Sequence, residues 1–115
     1  MTGGFEMLNI TVLGAGGFGL ALAIILNKQG HSVTVWSKLE NEIIQLEKDR
    51  EHKQKLPGVK IPESIKLTTE YDAIKTSDMV IFGVPSSFVR STAKEVSPYV
   101  AKDTIILNAG KGLED

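Results

Sequence analysis

A glycine-rich segment, GAGGFG at residues 14–19, does most to limit how this chain can fold. It follows an apolar, β-branched run at 8–13, which is typical of a short parallel strand buried on both faces. An apolar run with helical spacing comes next, at 19–29, and Gly30 stands where a glycine can terminate a helix. A glycine turn between a strand and a helix predicts a site for the pyrophosphate of a dinucleotide.

Each glycine of the G-x-G-x-x-G pattern has a separate expected role. Gly14 permits the tight turn out of the strand, Gly16 lets the backbone approach the pyrophosphate, and Gly19 allows close packing of helix and strand. Free amide groups in the first helical turn, together with the helix dipole, favour an anion at this point. NAD or NADP is therefore the expected cofactor, and flavin adenine dinucleotide, which uses the same kind of loop, is the alternative.

Strands alternate with helices along the rest of the chain. The expected strands are 8–13, 32–36, 65–67, 79–84 and 104–108. The expected helices are 19–29, 40–50, 70–75 and a fourth that ends at Val96. Thr68 or Thr69 is expected to open the third helix, and Ser86 or Ser87 to cap the fourth. This alternation predicts an α/β fold of the Rossmann type, a doubly wound, mainly parallel sheet with helices on both faces.

Composition narrows the classes of partner. A chain of 115 residues is long enough for one domain, and 13 basic against 14 acidic side chains give no reason to expect a nucleic-acid or membrane partner. No apolar run approaches the roughly 20 residues that a membrane helix needs. The absence of cysteine excludes disulfides and thiolate metal sites and is compatible with a cytoplasmic protein.

The two histidines and the basic loop are assigned no chemistry. His31 and His52 lack metal-ligand spacing, so no metal site is expected. Residues 52–63 combine charge with two prolines, which favours an ordered loop. The basic segment at 48–60 is interpreted as solvated, with a phosphate site as the alternative.

The end of the second predicted strand bears on the choice between NAD and NADP. Dinucleotide folds usually carry an acidic residue there, which binds the ribose hydroxyls of NAD. This chain has Trp36, Ser37 and Lys38 instead. With no carboxylate expected at this corner, Lys38 and Ser37 could bind a 2′-phosphate, so NADP is tolerated. The alternative is that Lys38 is a solvated surface lysine.

Four stretches in order give the chain a specific resemblance. They are GAGGFGLALA at 14–23, LPGVKIP at 56–62, VPSSFVR at 84–90 and NAGKGLE at 108–114. Together they resemble the N-terminal part of bacterial NAD(P)-dependent glycerol-3-phosphate dehydrogenases. The chain departs from that family at Gly17 and Phe18, where serine and then tryptophan or tyrosine are frequent, and at Leu20, where threonine is frequent. The backbone donors of the loop are unaffected by these changes.

The resemblance implies reversible reduction of dihydroxyacetone phosphate to sn-glycerol 3-phosphate, for phospholipid synthesis. It places Gly17 and Phe18 on the cofactor, Lys38 at the adenosine ribose and Phe88 near the dinucleotide. Lys111 would reach both the nicotinamide region and the substrate phosphate or its oxygen. A core role for Phe88 and a solvated turn for Lys111 are the alternatives.

The resemblance also implies that the general base lies in a C-terminal helical domain, so no catalytic residue is assigned within 1–115. We expect these residues to be a partial N-terminal NAD(P)-binding domain that does not turn over substrate by itself. A homodimer is compatible with the resemblance, through contacts of the C-terminal domain. The other functions weighed are a nucleotide-sensing module without chemistry and another hydroxyacid or sugar dehydrogenase, such as the 6-phosphogluconate group.

Overall fold

The computed structural model describes residues 7–109 as alternating strands and helices. The strands are β1 Asn9–Leu13, β2 Ser32–Trp36, β3 Lys66–Thr68, β4 Met79–Phe82 and β5 Ile105–Asn108. The helices are α1 Gly17–Lys28, α2 Glu40–Asp49, α3 Asp72–Lys75 and α4 Ser86–Val96, and a 3-10 turn at Ser97–Tyr99 follows α4. Lys111 and the rest of 110–115 lie outside the described residues.

All five strands are parallel and lie in the order β3-β2-β1-β4-β5. The sequence prediction of a doubly wound parallel sheet is confirmed. Leu13, the last residue of β1, is paired with Trp36 on one side and Phe82 on the other. The chain order reverses at β1, between β2 and β4, and open α/β sheets bind ligands in the crevice beyond such a reversal. The fold therefore directs attention to the carboxyl ends of these three strands.

Each face of the sheet is covered by its own apolar cluster. Because successive strand residues point to opposite faces, Val12 packs with α1 and α2 while Leu13 packs with α3 and α4. The first cluster includes Leu20 and Ala23 of α1, and the second includes Val96 of α4. Both clusters contain fully buried side chains. The carboxyl end of β1 and the start of α1 are therefore held in place by core packing.

The structure corrects the expected starts of two helices. Helix α3 begins at Asp72 after Tyr71, not at 70, and Thr68 instead accepts a hydrogen bond from the Glu70 amide, at 2.9 Å, in the turn before it. Helix α4 has Pro85 at its N-cap position and no side-chain cap, so the expected serine cap is wrong. The fixed φ of proline suits the entry to a helix, where a missing amide donor matters least.

The sheet is not equally covered along its width. Ile105, Ile106 and Leu107 of β5 are exposed, in contrast to the buried residues of β1. Within residues 7–109, no helix has the length and apolar character needed to cross a membrane.

Candidate functional site

A cleft of about 570 Å³ lies beyond the carboxyl ends of β1, β2 and β4. This volume is within the range of small-molecule sites, about 300–1,000 Å³. The cleft is lined by 14–18, 36–39, 83–85, Glu42, Lys55, Phe88 and Thr92. It thus contains the glycine segment, the end of the second strand and the start of α4, three regions that the sequence singled out separately.

The glycine segment is fixed to its neighbours by backbone hydrogen bonds. The Gly14 amide donates to the Trp36 carbonyl at 2.7 Å, and the Gly83 amide donates to the Leu13 carbonyl at 2.8 Å. Gly14 has a φ of 119°, and a Cβ there would lie 2.9 Å from Cγ1 of Val84. A side chain is therefore excluded at Gly14 by both conformation and space, as expected for the tight turn.

The start of α1 has amide donors without helical acceptors, and two of them belong to Gly17 and Phe18, which line the cleft. The Leu20 amide donates the first helical hydrogen bond, to the Gly16 carbonyl at 3.0 Å. The amides of Gly17, Phe18 and Gly19 come before it and have no acceptor within the helix. No acidic residue lies in this first turn. The arrangement leaves the positive end of the α1 dipole available to an anion.

Three glycines of the segment differ in what surrounds them. A Cβ on Gly16 would meet nothing within 4 Å, and its φ of −77° suits any residue. A Cβ on Gly19 would overlap the Gly14 carbonyl oxygen, and one on Gly17 would lie 2.8 Å from the Lys55 carbonyl oxygen. Gly17 and Gly19 are thus required by packing, whereas Gly16 leaves open space on the cleft side of the loop.

The second-strand corner, the end of β2 with Ser37, Lys38 and the first turn of α2, contains a carboxylate that is not expected from the sequence. The Ser37 hydroxyl donates to Oε1 of Glu42 at 3.0 Å and accepts from the Leu39 amide at 3.1 Å. Nε2 of His52 lies 3.7 Å from Oε2 of the same carboxylate. The expectation of a corner without an acid is wrong, because the first turn of α2 supplies one five residues after Ser37.

Lys38 also has a partner. Its ammonium lies 3.6 Å from Oε1 of Glu95, and its side chain is 65% exposed. The Tyr71 hydroxyl donates to Oε2 of Glu95 at 2.7 Å. This hydrogen bond, with desolvation and the adjacent negative charge, raises the pKa of Tyr71 from 10.0 to about 12. The tyrosine and the lysine therefore hold one carboxylate between them beside the cleft.

The loop between α2 and β3 is packed onto the glycine segment. Arg50, in the left-handed conformation at the end of α2, donates through one guanidinium nitrogen to the carbonyls of Pro62, at 3.2 Å, and Ile65, at 2.8 Å. The side chain of His52 is only 13% exposed. The lysines of this basic segment are exposed, as the solvated interpretation predicts, but that interpretation missed Lys55 in the wall of the cleft. The double glycine at 16–17 was the available signal, since Gly17 makes room for the loop.

The two aromatic residues assigned to the site are exposed in the cleft. Phe18 is 40% and Phe88 57% exposed, so Phe88 is not a core aromatic residue. The structure thus brings together all the predicted site residues that it describes, with Gly19 packed beneath the loop. Lys111 is not among the described residues. Within 7–109, no group of three or more His, Asp or Glu side chains could hold a metal ion.

Comparison with known proteins gives one consistent family. The family model described as NAD-dependent glycerol-3-phosphate dehydrogenase N-terminus matches residues 9–115. A glycerol-3-phosphate dehydrogenase (NAD(P)+) of Agathobacter rectalis is 44% identical over 110 residues, which are 95% of this chain and 33% of the relative. The corresponding enzyme 2 of Lactobacillus delbrueckii subsp. bulgaricus is 46% identical over 94% of this chain and 32% of the relative. The chain spans about a third of the length of these curated relatives.

Solved structures agree on the fold. The crystal structure of glycerol-3-phosphate dehydrogenase from Coxiella burnetii matches with a TM-score of 0.82 and 24% identity, covering 89% of this chain and 32% of that one. The enzyme from Saccharomyces cerevisiae matches with a TM-score of 0.74 and 19% identity, covering 90% of this chain and 33% of that one. Because the family model spans nearly the whole sequence, the chain belongs to the NAD-dependent glycerol-3-phosphate dehydrogenase family, as its N-terminal part.

Proposed function

We propose that this chain is the NAD(P)-binding part of an enzyme that reversibly reduces dihydroxyacetone phosphate to sn-glycerol 3-phosphate, for phospholipid synthesis. The observation that carries the proposal is the start of α1. Gly16, Gly17 and Phe18 line a cleft at the strand-order reversal, a Cβ on Gly16 would occupy otherwise empty space, and the first-turn amides lack helical acceptors. Membership of the family supports the proposed substrate.

The residues of the cleft fit a dinucleotide along its length. The amides of Gly17, Phe18 and Gly19 would bind the pyrophosphate, because they are donors without helical acceptors beside a positive dipole end. The exposed rings of Phe18 and Phe88 offer apolar surface to the dinucleotide. When bound, the dinucleotide supplies or accepts the hydride; these residues bind and orient it.

The second-strand corner would lie at the adenosine ribose, as in other dinucleotide folds. Ser37, Lys38 and Glu42 are the polar side chains that line the cleft there. On the substrate side we propose Lys111, whose ammonium could hold the substrate phosphate or polarise its reacting oxygen. This role rests on the resemblance of the KGLE stretch alone.

Trp36 provides a direct test of dinucleotide binding, because it is the only tryptophan of the chain and lines the cleft. NADH accepts excitation energy from a nearby indole, so titration with NADH is expected to quench Trp36 emission to saturation. The expected half-saturation lies below about 1 mM, within the ordinary range of enzyme ligands. Adenosine, which lacks the pyrophosphate and does not absorb indole emission, is the control, and by the heat of injection it should bind more weakly. The absence of saturable quenching and of heat on NADH injection would reject the proposal.

We further expect the 115-residue chain to bind dinucleotide without oxidising it. With dihydroxyacetone phosphate present, NADPH absorbance at 340 nm should stay constant, since we assign the general base to a C-terminal domain. Oxidation at the rate of a complete dehydrogenase, roughly 1–1,000 turnovers per second, would contradict that assignment.

A further inference from the structure

We propose that Glu42 recognises the adenosine 2′ position, and that Glu42 and Glu95 together make this corner select NADH over NADPH. This inference rests on the proposed function, because it concerns how the same cleft distinguishes two dinucleotides. The carboxylate of Glu42 reaches the second-strand corner from helix α2, while the end of the strand itself is followed by serine and lysine.

Glu42 lies at the right place for this role, and neighbouring side chains hold its carboxylate in position. It lies in the first turn of α2 and lines the same cleft as Gly16 and Phe88. Its side chain is 29% exposed, so the carboxylate is partly desolvated but still accessible. The Ser37 hydroxyl fixes Oε1, and His52 stands beside Oε2. A held carboxylate at a ribose subsite accepts hydrogen bonds from the 2′-hydroxyl and repels a 2′-phosphate.

Lys38, the natural partner for a 2′-phosphate, is already engaged. Its ammonium is paired with Glu95, and Glu95 is in turn held by the Tyr71 hydroxyl. To bind the phosphate, Lys38 would have to leave this carboxylate. Exposed ion pairs are weak, so we expect Glu95 to act as a modest restraint and Glu42 as the main determinant.

The local charge balance points the same way. Among the paired side chains at this corner, the carboxylates of Glu42 and Glu95 face one ammonium, that of Lys38, and the imidazole of His52, which carries a charge only when protonated. Lys55 lines the same cleft farther along, beside Gly17. NADPH would add a phosphate of about −1.5 to −2 charges to this corner. NADH adds only a hydroxyl, which can donate to the carboxylate that is already in place.

The test measures dissociation constants of NADH and NADPH, from Trp36 quenching, for the wild-type chain and three variants. We expect the wild type to bind NADH about tenfold more tightly than NADPH. Glu42→Gln should weaken NADH binding about tenfold and strengthen NADPH binding, because it removes a charged acceptor. Glu95→Gln should strengthen NADPH binding about threefold, because it frees Lys38, and leave NADH binding unchanged.

Glu47→Gln is the matched control, since it removes the same charge from an exposed position on the same helix, outside the cleft. It should leave both constants unchanged, and the effect of Glu42→Gln should persist relative to it at high salt. Wild-type binding of NADPH as tight as that of NADH would overturn the inference, as would a Glu42→Gln variant with an unchanged ratio. An unchanged NADPH constant in Glu95→Gln would overturn the part assigned to Lys38. Failure of both dinucleotides to bind is a separate result, and it would overturn the proposed function and this inference with it.

Discussion

The two ends of the cleft are built differently. At the pyrophosphate end, backbone amides and glycines set the geometry; one short backbone hydrogen bond ties Gly14 to the end of β2, and another ties the end of β1 to Gly83, just after β4. At the second-strand corner, side chains from α2, α4 and three loops set the charge. The first end is encoded within six consecutive residues, whereas the second requires residues as distant as Lys38 and Glu95 to meet. Substitutions at the two ends should therefore affect different properties of the protein.

The largest expected effect is at Gly19. A Cβ there would overlap the Gly14 carbonyl oxygen, and neither backbone segment can move without disturbing β1. Gly19→Ala should lower the free energy of unfolding by about 3 kcal/mol, as measured by urea denaturation. Gly16→Ala, the same change three residues earlier, is the matched control and should lower it by less than about 1 kcal/mol. Equal losses of unfolding free energy in the two variants would contradict the difference in packing between Gly19 and Gly16.

The next effect concerns the loop that forms one wall of the cleft. Arg50 joins the end of α2 to the carbonyls of Pro62 and Ile65 with a largely buried guanidinium. Arg50→Ala should lower the free energy of unfolding by about 2 kcal/mol, because two carbonyls lose a charged donor. Lys48→Ala, at an exposed position in the last turn of α2, should be nearly neutral. A neutral Arg50→Ala would mean that the loop is held by other contacts.

Gly16→Ala is expected to separate binding from stability. The added methyl group has room in the protein but projects into the space proposed for the pyrophosphate. Dinucleotide affinity should fall at least about tenfold, about 1.4 kcal/mol, in a Trp36 titration. The thermal midpoint should change by only a few degrees. Unchanged affinity in a folded variant would place the phosphates elsewhere.

The smallest expected effect is a pH dependence at the corner. The raised pKa of Tyr71 means that its neutral form is favoured in the folded protein. The contribution that this pKa shift makes to the free energy of unfolding is fully present below pH 10 and is lost as the pH rises from 10 toward about 12. Wild type and Tyr71→Phe should therefore differ more in unfolding free energy at pH 9 than at pH 11.5.

Tyr99→Phe is the control for this measurement, because it keeps the ring stacked on Tyr71, with centroids 4.2 Å apart, and leaves the hydrogen bond to Glu95 in place. It should retain the wild-type loss between the two pH values. A Tyr71→Phe variant with the same alkaline loss as the wild type would contradict the assignment.

The pyrophosphate end and the second-strand corner also differ in how much of them could be predicted from the sequence. The position of β2 and the parallel pairing of the strands could be predicted, because apolar β-branched runs and a glycine turn are local signals. The role of Gly17 against Lys55 was not, because it depends on a loop that returns over the glycine segment from almost 40 residues away. Glu42 was missed because the usual rule looks for an acid at the strand end, and here α2 presents it. Local rules gave the phosphate end of the site, and tertiary contacts determined the corner.

We expect the cleft at the reversal of strand order to bind a dinucleotide with its pyrophosphate on the start of α1. Amide chemical shifts of the ¹⁵N-labelled chain during an NADH titration test it most directly. We expect the largest shifts at the amides of 16–19, with a second group at 38–42. Shifts concentrated at the opposite ends of the strands, around Ser32 and Lys66, or no shifts at saturating NADH, would contradict it.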